Sequence, residues 1–436
     1  MIGTSVWEYI FIRSCIFFLH WIAPLSILYC ITSYLQVFEP ITLRVPLILK
    51  AWVVAETAFY FFVYLPLKYY LQGAAIHPKP LSREERRALF LRCHETVPDP
   101  EQYLSKWFLG APASEIKREN VKEFFCWAFL NKGEYDPVEE DELEEYATYM
   151  EKLLQRNLEE GRGEAKCLRL TLDDVDMLHR SLTWYLTRLP ILFIHGIGIG
   201  LYPYINLLAE LNTGGASASA DGELGILAVE IMPVSFRITS QALDKNKMCG
   251  EIQNILKAHG WDKFVLVSHS YGSVISAHLL HTPQIAEKIG PILLIDPVSF
   301  LLHHPDVAYN FTRRKPSRAN EHQLYYFASK DMGVSHTLAR RFFWSENILW
   351  KEDFRKRRLT VSLGGKDLIV DTEAVGAYLT EADKESQETG SWKERAWEGE
   401  GLDLLWFRNL DHAQVFDREI TRRQLVEVVR TYCEQG

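Results

Sequence analysis

Residues 264–276 read FVLVSHSYGSVIS, and three serines fall within six positions there: Ser268, Ser270 and Ser273. FVLVS is a continuous apolar run with β-branched residues, which predicts a strand buried on both faces. Tyr271, Gly272 and Ser273 lead straight into SVISAHLLH, an apolar segment that reads as a helix. A serine on so sharp a strand-to-helix turn is lifted above the sheet with its hydroxyl presented. The helix N-terminus beyond it offers free N–H groups and the positive end of a dipole. The usual pattern for such a turn is G-x-S-x-G. Here it reads Ser268-His269-Ser270-Tyr271-Gly272, with a serine in the first glycine position. Register selects Ser270 as the candidate nucleophile, because Ser268 ends the strand and Ser273 lies in the first helical turn.

Outward from this turn, short apolar runs alternate with helical segments: ILFIHG (191–196), GILAVEI (225–231), PILLID (291–296) and RLTVSLG (358–364). That alternation predicts an α/β domain with a mostly parallel sheet covered by helices on both faces. NTGGASASADGE (212–223) reads as a loop of small residues. After the first run come Gly196, Gly198 and Gly200, but this spacing does not continue as the G-x-G-x-x-G dinucleotide fingerprint. It suits a loop whose backbone approaches the serine closely. The N–H of Ile197 and the N–H of Tyr271 then form a pair of oxyanion donors. Gly196 and His269 are candidates to line the substrate site, and His195 reads as structural.

A serine nucleophile needs a base, and the base needs an orienting carboxylate. Asp367 follows the strand at 358–364 and is the favoured acid, with Asp296 and Asp371 as alternatives. LDLLWFRNLDHAQVFD (402–417) reads as a last strand and a loop before a terminal helix, and its His412 suits a general base. The pairs His303-His304 and His278/His281 form no H-E-x-x-H pattern and no cysteine pair, so no zinc site is expected.

The chain order Ser270, Asp367, His412, on alternating strands and helices over roughly 185–436, resembles the α/β-hydrolase superfamily. Other stretches, including SREERRALF, YLSKWFLG and RRFFWSENILW, resemble membrane-anchored fungal α/β-hydrolases. The resemblance implies acyl transfer through an acyl-enzyme. His412 would take the Ser270 proton, Asp367 would orient the imidazole, and the two backbone N–H groups would hold the oxyanion. It implies no metal or organic cofactor. It also implies a cap inserted at about 297–357, where Tyr325, Tyr326, Phe327, Phe342, Phe343, Trp344 and Trp350 suit an apolar acyl chain. His336 and Asp331 are further candidates to touch substrate there.

The 436 residues carry a net charge of -9, which argues against a nucleic-acid partner. Seven scattered cysteines without a CxxC pair fit a reducing compartment. From Ser14 to Leu35 runs SCIFFLHWIAPLSILYCITSYL, 22 residues without Asp, Glu, Lys or Arg, long enough to cross a bilayer. The alternative, a cleaved signal peptide, is disfavoured by this length and by the lack of an A-x-A site. A second apolar stretch, 45–70, contains Lys50 and Glu56. Two spans joined by a short loop at 36–44, or a hairpin dipping into one leaflet, both fit. The basic residues at its end and beyond (Lys68, Lys79, Arg83, Arg86, Arg87) place the main domain in the cytosol. The expected organisation is a membrane anchor at 1–72, a helical packing region at 73–184 and a catalytic domain at 185–436. Within the helical region, Ser82 and Glu85 predict a capping box, and EEDELEE (139–145) reads as a solvated helix face.

The sequence thus points to a serine hydrolase of carboxylic esters, lipid esters foremost, on the endoplasmic reticulum or a lipid droplet. Two other readings stay open. One is a catalytically silent domain used for binding. The other is lactone, thioester or amide cleavage, or acyl transfer, on the same fold.

Overall fold

The computed structural model describes residues 3–35, 46–95, 97–175, 194–212, 225–354 and 357–434. The expected loops at 36–44 and 212–223, and residues 191–193 of the first expected strand, fall wholly or mostly outside these.

Two long apolar helices come first, α1 (Val6–Tyr34) and α2 (Leu47–Tyr70). α1 buries only Ile12, Ala23 and Ser26 of its 29 residues. Phe11, Phe17, Phe18, Trp21, Leu25 and Leu28 are exposed. So large a bare apolar surface is unfavourable in water and suits contact with lipid or a partner. The two helices meet at Cys30 and Thr57, whose side chains are 3.4 Å apart.

A helical layer follows: α3 (Arg83–His94), α4 (Pro100–Trp107), α5 (Arg118–Phe125) and α6 (Glu140–Leu154). The capping box at Ser82 and Glu85 forms as expected and fixes where α3 starts. Aromatic packing binds the layer, with Phe90 stacked on Tyr146 at 4.0 Å. The 139–145 run departs from the expected solvated face. Glu142 is buried and takes a two-pronged ion pair from Arg86, at 2.8 and 2.6 Å. A carboxylate can be buried there because the guanidinium fork satisfies both oxygens.

The sheet comprises β1 (Phe264–His269), β2 (Ile289–Ile295), β3 (Leu359–Gly364) and β4 (Leu402–Phe407). All three pairings are parallel, in the order β1-β2-β3-β4. Successive residues feed opposite cores. Leu266, Ile292, Leu294 and Val361 pack with α7 (Lys245–Ala258) and α8 (Gly272–Leu280). Val267, Leu293, Ile295 and Leu405 pack with the terminal helix, Glu419–Glu434, on the other face. Ile194 bridges Ser268 in parallel at the free edge of β1. GILAVEI does not join the sheet. The Ile231 N–H is instead held by the His195 ring, which withdraws this segment from any ladder.

Between β2 and β3 lie α9 (Asp306–Thr312), α10 (Ala319–Leu324) and α11 (Met332–Arg341). Trp344 joins this segment to the helical layer by donating to the Ala128 carbonyl at 3.0 Å. The end of α2 is tied in as well. Tyr64 and Leu71 pack with Val175, Met332 and Ala339, while Arg340 donates to the carbonyls of Gln72, Gly73 and Asp173.

Candidate active site

The parallel sheet sends four chain reversals to one edge, past the carboxyl ends of its strands, where open α/β sheets place their sites. After β1 comes Ser270, with φ of 51°, a left-handed conformation for a side-chain-bearing residue. Two flanking contacts hold it there. Its N–H donates to the Ile295 carbonyl at 2.9 Å, and its carbonyl accepts the Ser273 N–H at 2.9 Å. Gly272 is required, since a Cβ there would collide with the Ile194 carbonyl. Serine is tolerated at 268 because its hydroxyl pairs with that of Ser276 at 2.8 Å.

The structure brings Ser270, His412 and Asp367 together. His412 Nε2 lies 2.8 Å from Ser270 Oγ, and His412 Nδ1 lies 2.7 Å from Asp367 Oδ2. The other Asp367 oxygen accepts the N–H groups of Ile369 and Val370, at 2.7 and 2.9 Å, which fixes the carboxylate. The two alternative acids have other tasks. Asp371 caps the helix Thr372–Thr380 through the Ala374 N–H. Asp296 is buried and accepts the Gly364 N–H (3.0 Å) and the Ala413 N–H (2.8 Å), tying the acid and base loops to the sheet.

Gly196 lies directly above the serine: a Cβ on it would come within 2.8 Å of the Ser270 Cβ and 2.6 Å of His269 Nδ1. Its N–H donates to the Tyr204 hydroxyl at 3.1 Å, and the Gly198 N–H goes to the Val234 carbonyl. Among the described residues, the intervening Ile197 N–H and the Tyr271 N–H have no hydrogen-bond partner. These are the two groups expected to face an oxyanion. A Gly196→Ala variant should push this loop off the serine and lower kcat about 100-fold, comparable to losing an oxyanion donor. A steady-state assay at saturating substrate checks this.

His269 differs from its expected role as a substrate contact. Its ring is buried beside Tyr204, His412 and Phe416, and the Tyr204 hydroxyl sits 2.7 Å from its Nδ1. It thereby supports the Gly196 loop from beneath. Tyr204 carries no local sequence signal, because only the fold brings it 65 residues along the chain to His269. His195 is structural as expected, taking the Ile231 N–H on Nε2, with the Ser235 hydroxyl 3.1 Å away and donating to the Ile231 carbonyl. Asp331 caps α11, and His336 is buried within it.

Burial disfavours the His412 imidazolium, but the charge and hydrogen bond of Asp367 outweigh it. With Asp296 and Asp411 behind, they push its pKa up to about 9. Burial drives His269 the opposite way, well below the ordinary range, so that ring is neutral. A raised base pKa keeps His412 protonated to higher pH, and only its neutral form can accept the serine proton. The acid limb of kcat/KM should therefore rise through neutrality and level off above about pH 9. A limb centred at or below the ordinary histidine value of about 6.5 would contradict this assignment.

Asp296, Asp367 and His412 are close enough to suggest a metal site. Both ring nitrogens of His412 are engaged, however, and both Asp296 oxygens accept N–H donors. The set satisfies itself by hydrogen bonds and fits a triad better than an ion. His278 pairs with Asn347 at 2.8 Å, and His303 stacks on Trp350.

No family model matches the chain, and no curated protein sequence matches it. Among solved structures it is similar to a meta-cleavage product hydrolase from Pseudomonas fluorescens IP01, with TM-score 0.36 and 13% identity over 55% of this chain and 89% of that one. Carboxylesterase CesB from Bacillus subtilis gives 0.35 and 10% over 56% and 83%. A membrane phospholipase A described as a bacterial virulence factor gives 0.33 and 13% over 55% and 78%. Superpositions this loose carry no weight of their own. The parallel sheet, the serine turn after β1, and the acid and base after β3 and β4 decide the architecture. The fold is that of the α/β-hydrolases. Its reaction depends on the groups placed at the strand ends.

Proposed function

We propose that this chain is a membrane-associated serine hydrolase that cleaves carboxylic esters, lipid esters foremost. The observation that carries this reading is the hydrogen-bonded series Ser270–His412–Asp367 beside two N–H groups that are unpaired among the described residues. In the first step His412 Nε2 takes the proton as Ser270 Oγ bonds to the ester carbonyl carbon. The oxyanion accepts from the N–H groups of Tyr271 and Ile197. His412 then returns the proton to the departing alkoxide, leaving an acyl-serine and a free alcohol. Water, deprotonated by His412, attacks the acyl carbon and releases the acid with Ser270 restored. Asp367 stays ionised and holds the Nδ1 proton throughout. None of these steps draws on a metal or an organic cofactor.

Ser270 is only 6% exposed and His412 5%. The bare apolar faces of α1 and α2 support a membrane location, and the basic residues Lys79, Arg83, Arg86 and Arg87 beyond them support a catalytic domain on the cytosolic side. The endoplasmic reticulum or a lipid droplet is the proposed membrane. The full-length protein should stay with membranes after an alkaline carbonate wash; recovery in the aqueous fraction would refute the anchor.

The functional test is a panel of esters, thioesters, lactones and amides, run in detergent with and without an acceptor alcohol. Ester hydrolysis insensitive to the alcohol supports the proposal. Diversion of the acyl group to the alcohol would make the chain an acyltransferase, and no turnover of any member would favour a binding module.

A further inference from the structure

Asp411, the neighbour of the base, was not singled out from the sequence, yet its carboxylate joins three segments. One oxygen accepts the N–H groups of His412 and Leu368, at 2.8 and 3.0 Å. It thus ties the base loop to the residue after Asp367. The other oxygen accepts from Asn320 Nδ2 at 2.6 Å, a charge-assisted bond between groups 7% exposed. Asn320 lies on α10, between β2 and β3. Two residues along that helix, His322 meets Tyr9 of the first apolar helix edge-on, with ring centroids 5.4 Å apart. Ile12, one turn further along α1, is among the three buried residues of that 29-residue helix.

From this continuous series we infer that Asn320 is a positioning residue for the base, and that the first apolar helix holds Asn320 in place. This deepens the proposed function and rests on it. α1 then does more than tether the domain, since it braces the catalytic loop from the membrane side. The charged and titratable groups around His412 are Asp367, Asp296, Asp411 and His269. Glu321 is the neighbour of Asn320, and its N–H donates to the side-chain oxygen Oδ1 of Asn320 at 3.0 Å. Burial pushes the Asp411 carboxyl up, and the Asn320 bond pulls it back down. Losing that bond both frees the loop and favours a neutral Asp411.

The test compares Asn320→Ala, Asn320→Asp and the double variant Tyr9→Ala/Ile12→Ala with wild type, as full-length proteins in phospholipid vesicles. Thermal unfolding is followed in parallel. Asn320→Ala should lower kcat about 10- to 100-fold with little change in KM, as expected for a slightly misplaced base. Asn320→Asp preserves the shape and separates positioning from folding. While its carboxyl is protonated it can donate to Asp411, and once ionised it repels it. Its kcat relative to wild type should therefore fall as pH rises. The anchor-side double variant should lower kcat about threefold or more while remaining bound to vesicles.

Wild-type kcat in Asn320→Ala, or a pH-independent ratio for Asn320→Asp, would overturn the positioning role. A loss that merely follows the unfolded fraction would overturn it too. Full activity in the double variant would overturn the link to α1. Failure of the functional reading shows separately, as a wild type that turns over no ester.

Discussion

Ser270→Ala and His412→Ala should each lower ester turnover about 10⁶-fold, and combining them should cost little more. The expectation rests on the 2.8 Å bond between Ser270 Oγ and His412 Nε2, which makes nucleophile and base one unit. The alanine at 270 removes only a hydroxyl, and the backbone bonds to Ile295 and Ser273 that hold the turn remain. The loss should therefore appear with an unchanged thermal midpoint. The neighbouring serines are poor substitutes: Ser268 is paired with Ser276, and the Ser273 hydroxyl donates to the Ser270 carbonyl at 2.7 Å. A Ser270→Ala variant within tenfold of wild type would move the nucleophile elsewhere.

The second large effect is at the acid. Asp367→Asn should lower kcat about 10⁴-fold while the fold persists. Asparagine has one acceptor oxygen where the carboxylate has two. It can serve either the N–H groups of Ile369 and Val370 or the His412 ring, and the ring is left in the wrong tautomer. Asp296→Asn should behave differently. Its carboxylate spans the Gly364 and Ala413 N–H groups, so the amide leaves one donor facing another. That costs about 1–3 kcal/mol of stability, with a far smaller loss in kcat. Thermal unfolding and saturating-substrate assays on both variants decide the point. A 10⁴-fold loss confined to Asp296→Asn would make Asp296 the acid.

The readable and unreadable parts of the sequence divide along physical lines. The serine turn is local: strand, tight turn and helix are encoded within thirteen residues, and Gly272 is explained by the approach of Ile194. The candidate base, His412, was legible as a histidine in a loop after a final apolar run. The candidate acid was legible only as a choice among carboxylates at strand ends, since which of them meets His412 depends on three-dimensional reach. Tyr204, Asp411 and Asn320 left no local trace, because each acts through a partner made close only by folding. GILAVEI has a strand-like composition, yet the His195 ring takes its Ile231 N–H. Glu142 looked solvated because its run is acidic, and only the position of Arg86 reverses that reading. His269 was a candidate to line the substrate site by its place in the turn, but its ring packs against Tyr204 and Phe416.

The most direct test of an activated serine is covalent labelling with a fluorophosphonate, in detergent, with the adduct located by peptide mass. Ser270 Oγ would bond to phosphorus and fluoride would leave. The predicted result is a single adduct on Ser270, retained in Ser268→Ala and lost in Ser270→Ala. A folded wild type that stays unlabelled, or carries its adduct on another residue, would contradict the account.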